Sequence, residues 1–121
     1  MYKILRCGRS RQVIEQCYRL GVIDAILPAL HRHLASGRSS ERALWERLEA
    51  IDGMGDRERT VELPNGRLLA ALLSGCVETG GSTPRALSEM LREAAAPLTP
   101  SNNDLHVAAA HLARRRASAR P

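Results

Sequence analysis

Apolar residues recur three and four positions apart, the spacing of one helix face, in every long segment of this chain. The most apolar segment is 66–76, where leucine and alanine cover nearly the whole circumference, so we expect it at the centre of a bundle. The pattern predicts an all-α fold, an irregular helical bundle of about six helices. The predicted helices begin near residues 9, 22, 40, 66, 84 and 102, and the first five end near 20, 34, 52, 76 and 95.

Turn and capping residues separate these segments. Gly21 stands where a left-handed residue would end the first helix, and Pro28 can break the second because it lacks a backbone donor. Between the third and fourth helices lies the least helical region, in which 60–63 could form a short extended piece. Helix-starting side-chain caps are predicted at Ser39 or Ser40, at Thr83 and at Ser101.

A length of 121 residues suits one domain, here a single helical domain over 1–121, with 113–121 predicted as a flexible tail of Ala, Ser, Arg and Pro. No apolar run approaches the roughly 18 residues that a membrane span requires, and no secretory leader is evident. The odd number of cysteines, without close pairing, favours free thiols. These features predict a cytoplasmic protein without a membrane partner.

The net charge of +5 is concentrated at the two ends of the chain, and arginine outnumbers lysine by 17 to 1. Arginine binds phosphate through two parallel hydrogen bonds, and the free amides of a helix start also favour phosphate. The basic ends are therefore the predicted phosphate-binding residues, although they could instead pair with the acidic middle of the chain or with an upstream domain. The candidates are Lys3, Arg6, Arg9 and Arg11 at the start of the first helix, and Arg114, Arg115 and Arg116 near the end.

Catalytic and metal-binding constellations are not evident in the sequence. Asp52 and Asp56 could meet in a loop, but a solvated turn is the simpler interpretation, and Trp45 is expected in the core rather than as a base-stacking platform. We therefore predict no catalytic residue and no metal ligand in this chain. The four histidines, His31, His33, His106 and His111, have spacings that do not favour a zinc site.

Three leucine-rich pieces, taken in order, resemble the helical region that follows the catalytic head of bacterial poly(A) polymerases and the related tRNA nucleotidyltransferases. They are Arg9–Leu30, then Leu44 to Asp52 followed by Asn65–Leu73, and finally Pro100 with Asp104. The family's head carries a glycine pair leading to Arg-Asp and two aspartates that bind magnesium. Neither motif occurs here, so no catalytic residue of the family is carried over.

The resemblance implies an accessory RNA-binding segment of a poly(A) polymerase-like nucleotidyltransferase, which is not an enzyme on its own. It also implies that RNA and the family's catalytic head are the partners, and that ATP and magnesium belong to that head, with no cofactor in this chain. The alternative is a helical protein-interaction or regulatory module that does not bind nucleic acid.

Overall fold

The computed structural model describes residues 2–77 and 83–119, the last five of these by their backbone alone, and all regular structure in these ranges is helical. Six of its α-helices have eight or more residues, which confirms the predicted all-α fold. A π-helical turn at Glu58–Glu62 and a 3₁₀ turn at Ser74–Cys76 accompany them. The α-helices are α1 (Tyr2–Leu5), α2 (Ser10–Arg19), α3 (Val22–Ile26), α4 (Pro28–Ala35), α5 (Arg38–Asp52), α6 (Asn65–Leu73), α7 (Pro84–Ala95) and α8 (Asn102–Ala119).

Helix α6 is central, as its all-round apolar sequence predicts. It packs mainly against α8 and also contacts α5 and α7, while α2 packs against α5. Because α6 has neighbours on several sides, its leucines are excluded from water. Leu68, Leu69, Leu72 and Leu73 are all buried there, and Leu105, Ala108, Ala109 and Leu112 supply the facing side of α8.

Most of the predicted helix boundaries are confirmed. Gly21 has a φ of 80° and separates α2 from α3. Pro28 divides the second predicted helix into α3 and α4 and occupies the first turn of α4. The Thr83 hydroxyl accepts a hydrogen bond from the Ala86 amide at 3.1 Å, and the Ser101 hydroxyl accepts one from the Asp104 amide at 3.1 Å, so both predicted caps form.

Three local predictions were wrong. Residues 60–63, for which the sequence allowed a short extended piece, lie largely in the π-helical turn. The third helix begins after Gly37 without a side-chain cap, so neither Ser39 nor Ser40 has that role. Leu20, whose spacing from Ile14 and Cys17 predicts a place on the apolar face of the first helix, is 72% exposed because α2 ends at Arg19 and Leu20 belongs to the turn that follows.

The backbone of α8 is helical as far as Ala119, so it passes through most of the segment 113–121 that the sequence predicts as a tail. The flexibility of that segment stays a prediction, and residues 120 and 121 lie outside the described residues. All three cysteines are free thiols. None of the helices in the described ranges combines the length and the apolar character that crossing a membrane requires.

Candidate nucleic-acid interface

Arg6, a predicted RNA contact, is held by the protein itself. Its guanidinium donates hydrogen bonds to the carbonyl oxygens of Arg59 and Leu63, at 2.9 and 2.8 Å, and to the side-chain oxygen of Asn65. These acceptors lie more than fifty residues further along the chain. Arg6 therefore fastens the start of the chain to the segment that leads into α6.

The start of α2, a predicted phosphate site, is occupied by a carboxylate of the same chain. Asp52 Oδ1 accepts hydrogen bonds from the Ser10 amide at 2.8 Å and from the Ser10 hydroxyl at 2.7 Å, and Oδ2 accepts one from the Arg11 amide at 3.1 Å. A helix N-terminus attracts negative charge, and here an internal side chain supplies it. The expectation of an open phosphate site at these amides was wrong.

The four basic residues at this end of the molecule thus divide into two groups. Arg11 forms ion pairs with Glu15 at 3.1 Å and with Glu49 at 3.5 Å, and Arg6 is engaged as described. Lys3 and Arg9 are exposed, and no described residue bonds to either side chain. The structure therefore leaves two of the four as unpaired surface cations, and their contact with RNA stays a prediction.

Arg59, which the sequence analysis did not single out, organises the polar contacts beneath this surface. Its side chain is buried and donates to the carbonyl oxygens of Arg6 at 2.9 Å and Met54 at 2.9 Å, and to the carboxylate of Asp56 at 2.9 Å. Gly8, with a φ of 82°, lets the guanidinium approach the backbone closely, since an added Cβ would lie 3.1 Å from Nη2. Arg59 is consequently part of the fold rather than of a binding surface.

A groove of about 410 Å³ lies among α5, α6 and α8. Three basic side chains line it, Arg47 from α5, Arg67 from α6 and His111 from α8, and none of the described residues that line it is acidic. The Arg47 Nε donates to the carbonyl oxygen of Ala71 at 2.8 Å, which fixes the position of its guanidinium. The remaining lining residues are apolar: Ala50, Ile51, Met54, Leu63 and Ala71.

A larger groove of about 780 Å³ between α2 and α5 has a different charge pattern. Its walls carry equal numbers of arginines and glutamates, and several of them pair with one another, so its net charge is balanced. Trp45 lines it but is only 9% exposed, which confirms the expectation that this ring belongs to the core. The arginines are Arg11, Arg19, Arg38 and Arg42, and the glutamates are Glu15, Glu41, Glu46 and Glu49.

The predicted basic residues near the end of the chain belong to α8. Arg114 is exposed and lies three residues after His111, so it is on the same side of the helix as the groove residue. The side chains of Arg115 and Arg116 lie outside the described residues. Sequence reasoning missed Arg47 and Arg67 because each stands apart from the basic clusters at the two ends of the chain, on helices that only the tertiary fold brings together.

Two groups near Arg47 have shifted proton affinities. Burial, together with the charge of Arg47, lowers the pKa of His33. Burial raises the pKa of the Cys76 thiol from 9.0 to about 11, so this thiol is protonated at neutral pH. Among the described residues, no cluster of three or more His, Cys, Asp or Glu side chains has an arrangement that could hold a metal ion.

Comparisons with protein-family models, with curated proteins and with solved structures find no match to this chain.

Proposed function

We propose that this chain is an accessory RNA-binding segment of a poly(A) polymerase-like nucleotidyltransferase, and that it contacts the phosphate backbone of RNA without performing chemistry itself. The observation that carries the proposal is the groove among α5, α6 and α8, whose charged side chains are all basic. The ordered resemblance of three helical pieces to that family, and the net charge of +5, support it.

The chemistry of the groove suits a phosphodiester. The Arg67 guanidinium offers hydrogen-bond donors, the Arg47 guanidinium adds positive charge, and none of the described residues that line the groove is a carboxylate. Arg114, on the same side of α8, and the unpaired cations Lys3 and Arg9 would extend the positive field. In this proposal the catalytic head, with its ATP and magnesium, belongs to the partner, and the assembly is cytoplasmic.

Binding of this kind follows counterion release, so it should be indifferent to sequence and should weaken steeply as salt increases. The chain has only three aromatic residues, and Trp45 is buried, so base stacking adds little. We expect modest affinity for any single-stranded RNA when the chain is isolated from a catalytic head.

The test is to measure RNA affinity as a function of salt for the wild type and for two matched arginine variants. Arg67→Gln removes a groove cation to which no described side chain bonds, whereas Arg42→Gln removes an exposed cation from the charge-balanced groove. We expect Arg67→Gln to lower the slope of log affinity against log salt by about one unit, and Arg42→Gln to leave it unchanged. Equal slopes for all three proteins would contradict the proposal.

A protein-interaction module is the second candidate, and one observation favours it. Leu20 and Val22 flank the turn between α2 and α3 and are 72% and 41% exposed, so two large apolar side chains stand together at the surface. If the folded chain fails to retain RNA even at low salt, this candidate replaces RNA binding as the better account of the molecule.

A further inference from the structure

The groove among α5, α6 and α8 has two chemically different parts. Its cationic part is formed by Arg47 and Arg67, beside the imidazole of His111, and its apolar part by the side chains of Ile51, Met54 and Leu63. A nucleotide has two parts that complement these, an anionic phosphate and a less polar sugar and base. We infer that the groove binds a single nucleotide of the RNA strand, and this inference rests on the function proposed above.

The cationic part is built to hold one phosphate. Arg47 is anchored because its Nε donates to the Ala71 carbonyl at 2.8 Å, so its guanidinium is held at the wall of the groove. No ion pair or hydrogen bond joins the Arg67 guanidinium to a described residue, and it is half-buried, which leaves its donors available to a ligand. A guanidinium in such a position binds phosphate through two parallel hydrogen bonds.

The apolar part explains why a nucleotide fits better than inorganic phosphate. Met54, Leu63 and Ala71 are each only partly buried, so apolar surface in the groove is still in contact with water. A sugar and base lying against it would remove that surface from water, a favourable change that a bare phosphate cannot provide. The volume of about 410 Å³ is within the range of roughly 300–1,000 Å³ that is usual for small-molecule sites.

The lining also limits selectivity. No Phe, Tyr or Trp side chain is among the described residues of the groove, and its aliphatic side chains cannot read the hydrogen-bonding pattern of a base edge. We therefore expect the site to discriminate phosphorylated from unphosphorylated nucleosides strongly, and one base from another weakly.

The experiment uses the full chain with ¹³C-labelled methionine methyl groups and follows them by NMR during titration with adenosine monophosphate, adenosine or inorganic phosphate. Met54 lines the groove, whereas Met90 lines a separate cavity beside Cys76 and serves as an internal control. We expect adenosine monophosphate to shift the methyl signal of Met54 in a saturable way and to leave the methyl signal of Met90 unchanged. Adenosine or phosphate alone should bind several-fold more weakly.

Variants connect the shift to the cationic part. Arg67→Gln should weaken adenosine monophosphate binding about tenfold or more, because the paired charge-assisted hydrogen bonds of the guanidinium to phosphate are lost, while Arg42→Gln should not change it. Equal binding by wild type and Arg67→Gln, or a shift confined to Met90, would overturn the inference.

The outcomes separate the two proposals. In the first outcome, RNA binds with a salt slope that depends on Arg67, but adenosine monophosphate does not shift the Met54 signal. This result overturns the single-nucleotide site and keeps the RNA-binding function. A saturable Met54 shift in a protein that does not bind RNA overturns the function and leaves a site for free nucleotides. A static Met54 signal together with no RNA binding overturns both.

Discussion

The carboxylate of Asp52 accepts hydrogen bonds from the backbone amide and the hydroxyl of Ser10, at 2.8 and 2.7 Å. Ser10 is the first residue of α2 and is fully buried, whereas Asp52 is the last residue of α5. The end of one helix thus caps the start of another that is 42 residues distant in sequence. This contact joins α2 to α5, and it places a negative charge from the same chain at the N-terminus of α2.

Asp52→Ala should destabilise the fold by about 2–3 kcal/mol, because it leaves the buried Ser10 donors without an acceptor and removes a favourable charge from the helix start. The measurement is the free energy of unfolding by urea denaturation. Asp56→Ala is the matched control, since the Asp56 side chain is exposed and bonds only to Arg59, whose guanidinium keeps the carbonyl oxygens of Arg6 and Met54 as acceptors. Equal destabilisation by the two variants would show that the cap contributes nothing specific.

Arg6→Ala should lower the free energy of unfolding by about 1–3 kcal/mol, because the carbonyl oxygens of Arg59 and Leu63 lose their donor. Arg9→Ala removes a neighbouring cation without a described partner and should stay within about 0.5 kcal/mol of the wild type. Urea unfolding of both variants checks this. If Arg9→Ala proved the more destabilising of the two, the assignment of Arg6 to the fold would be wrong.

The helices and their order could be predicted from sequence because their signals are local. The period of Leu68 and Leu72, the proline at 28 and the hydroxyl of Thr83 each act within a few residues, and each lies in the structure where the pattern indicates. The π-helical turn was missed because its residues have no helical period, and the exposure of Leu20 was missed because a helix end depends on its neighbours.

The candidate site was harder to predict because its contacts are not local. Arg6 bonds to groups 53 to 59 positions away, so its sequence neighbourhood does not distinguish it from the exposed Lys3. Arg47 and Arg67 belong to different helices, and only the packing of α5, α6 and α8 places them in one groove. The excess of positive charge is evident from the composition, but which group each arginine contacts depends on the tertiary fold.

Leu72→Ala should cost about 2–5 kcal/mol, since Leu72 is buried in the central helix and its truncation leaves a cavity. Val61→Ala, at a position that is largely exposed in the π-helical turn, should change stability by less than about 0.5 kcal/mol. Thermal and urea unfolding should agree on this ranking. A Leu72→Ala protein as stable as Val61→Ala would exclude α6 from the core.

Gly8→Ala and Gly21→Ala should separate two effects of an added methyl group. Both glycines have left-handed backbones, with φ of 82° and 80°, so each alanine should cost about 1–2 kcal/mol from its conformation. Only at Gly8 would the Cβ also crowd Arg59, at 3.1 Å from Nη2, whereas nothing lies within 4 Å at Gly21. We expect Gly8→Ala to be the more destabilising by about 1 kcal/mol or more, measured by urea unfolding. Equal losses of unfolding free energy in the two variants would show that the Arg59 side chain moves away from the added methyl group without cost.

Tyr2 should make stability depend on pH in the alkaline range. Its hydroxyl donates to Asp104 Oδ2 at 3.0 Å, and burial, followed by this hydrogen bond and the Asp104 charge, raises the pKa of Tyr2 from 10.0 to about 12. Because the folded-state pKa lies above the unfolded value, the stabilisation is fully present below pH 10 and is lost as pH rises from 10 to about 12.

Tyr2→Phe isolates this effect because it removes the titrating hydroxyl. The Cys76 thiol also titrates in the alkaline range, because its pKa is raised, but it is present in both proteins and its contribution cancels in the comparison. Below pH 10 the variant should be less stable than the wild type by about 0.5–1.5 kcal/mol, the usual contribution of one hydrogen bond. The difference should shrink as pH rises towards 12, when the wild type loses its hydrogen bond to Asp104. A gap that stays constant or widens across this range would show that the contact between Tyr2 and Asp104 does not stabilise the protonated phenol.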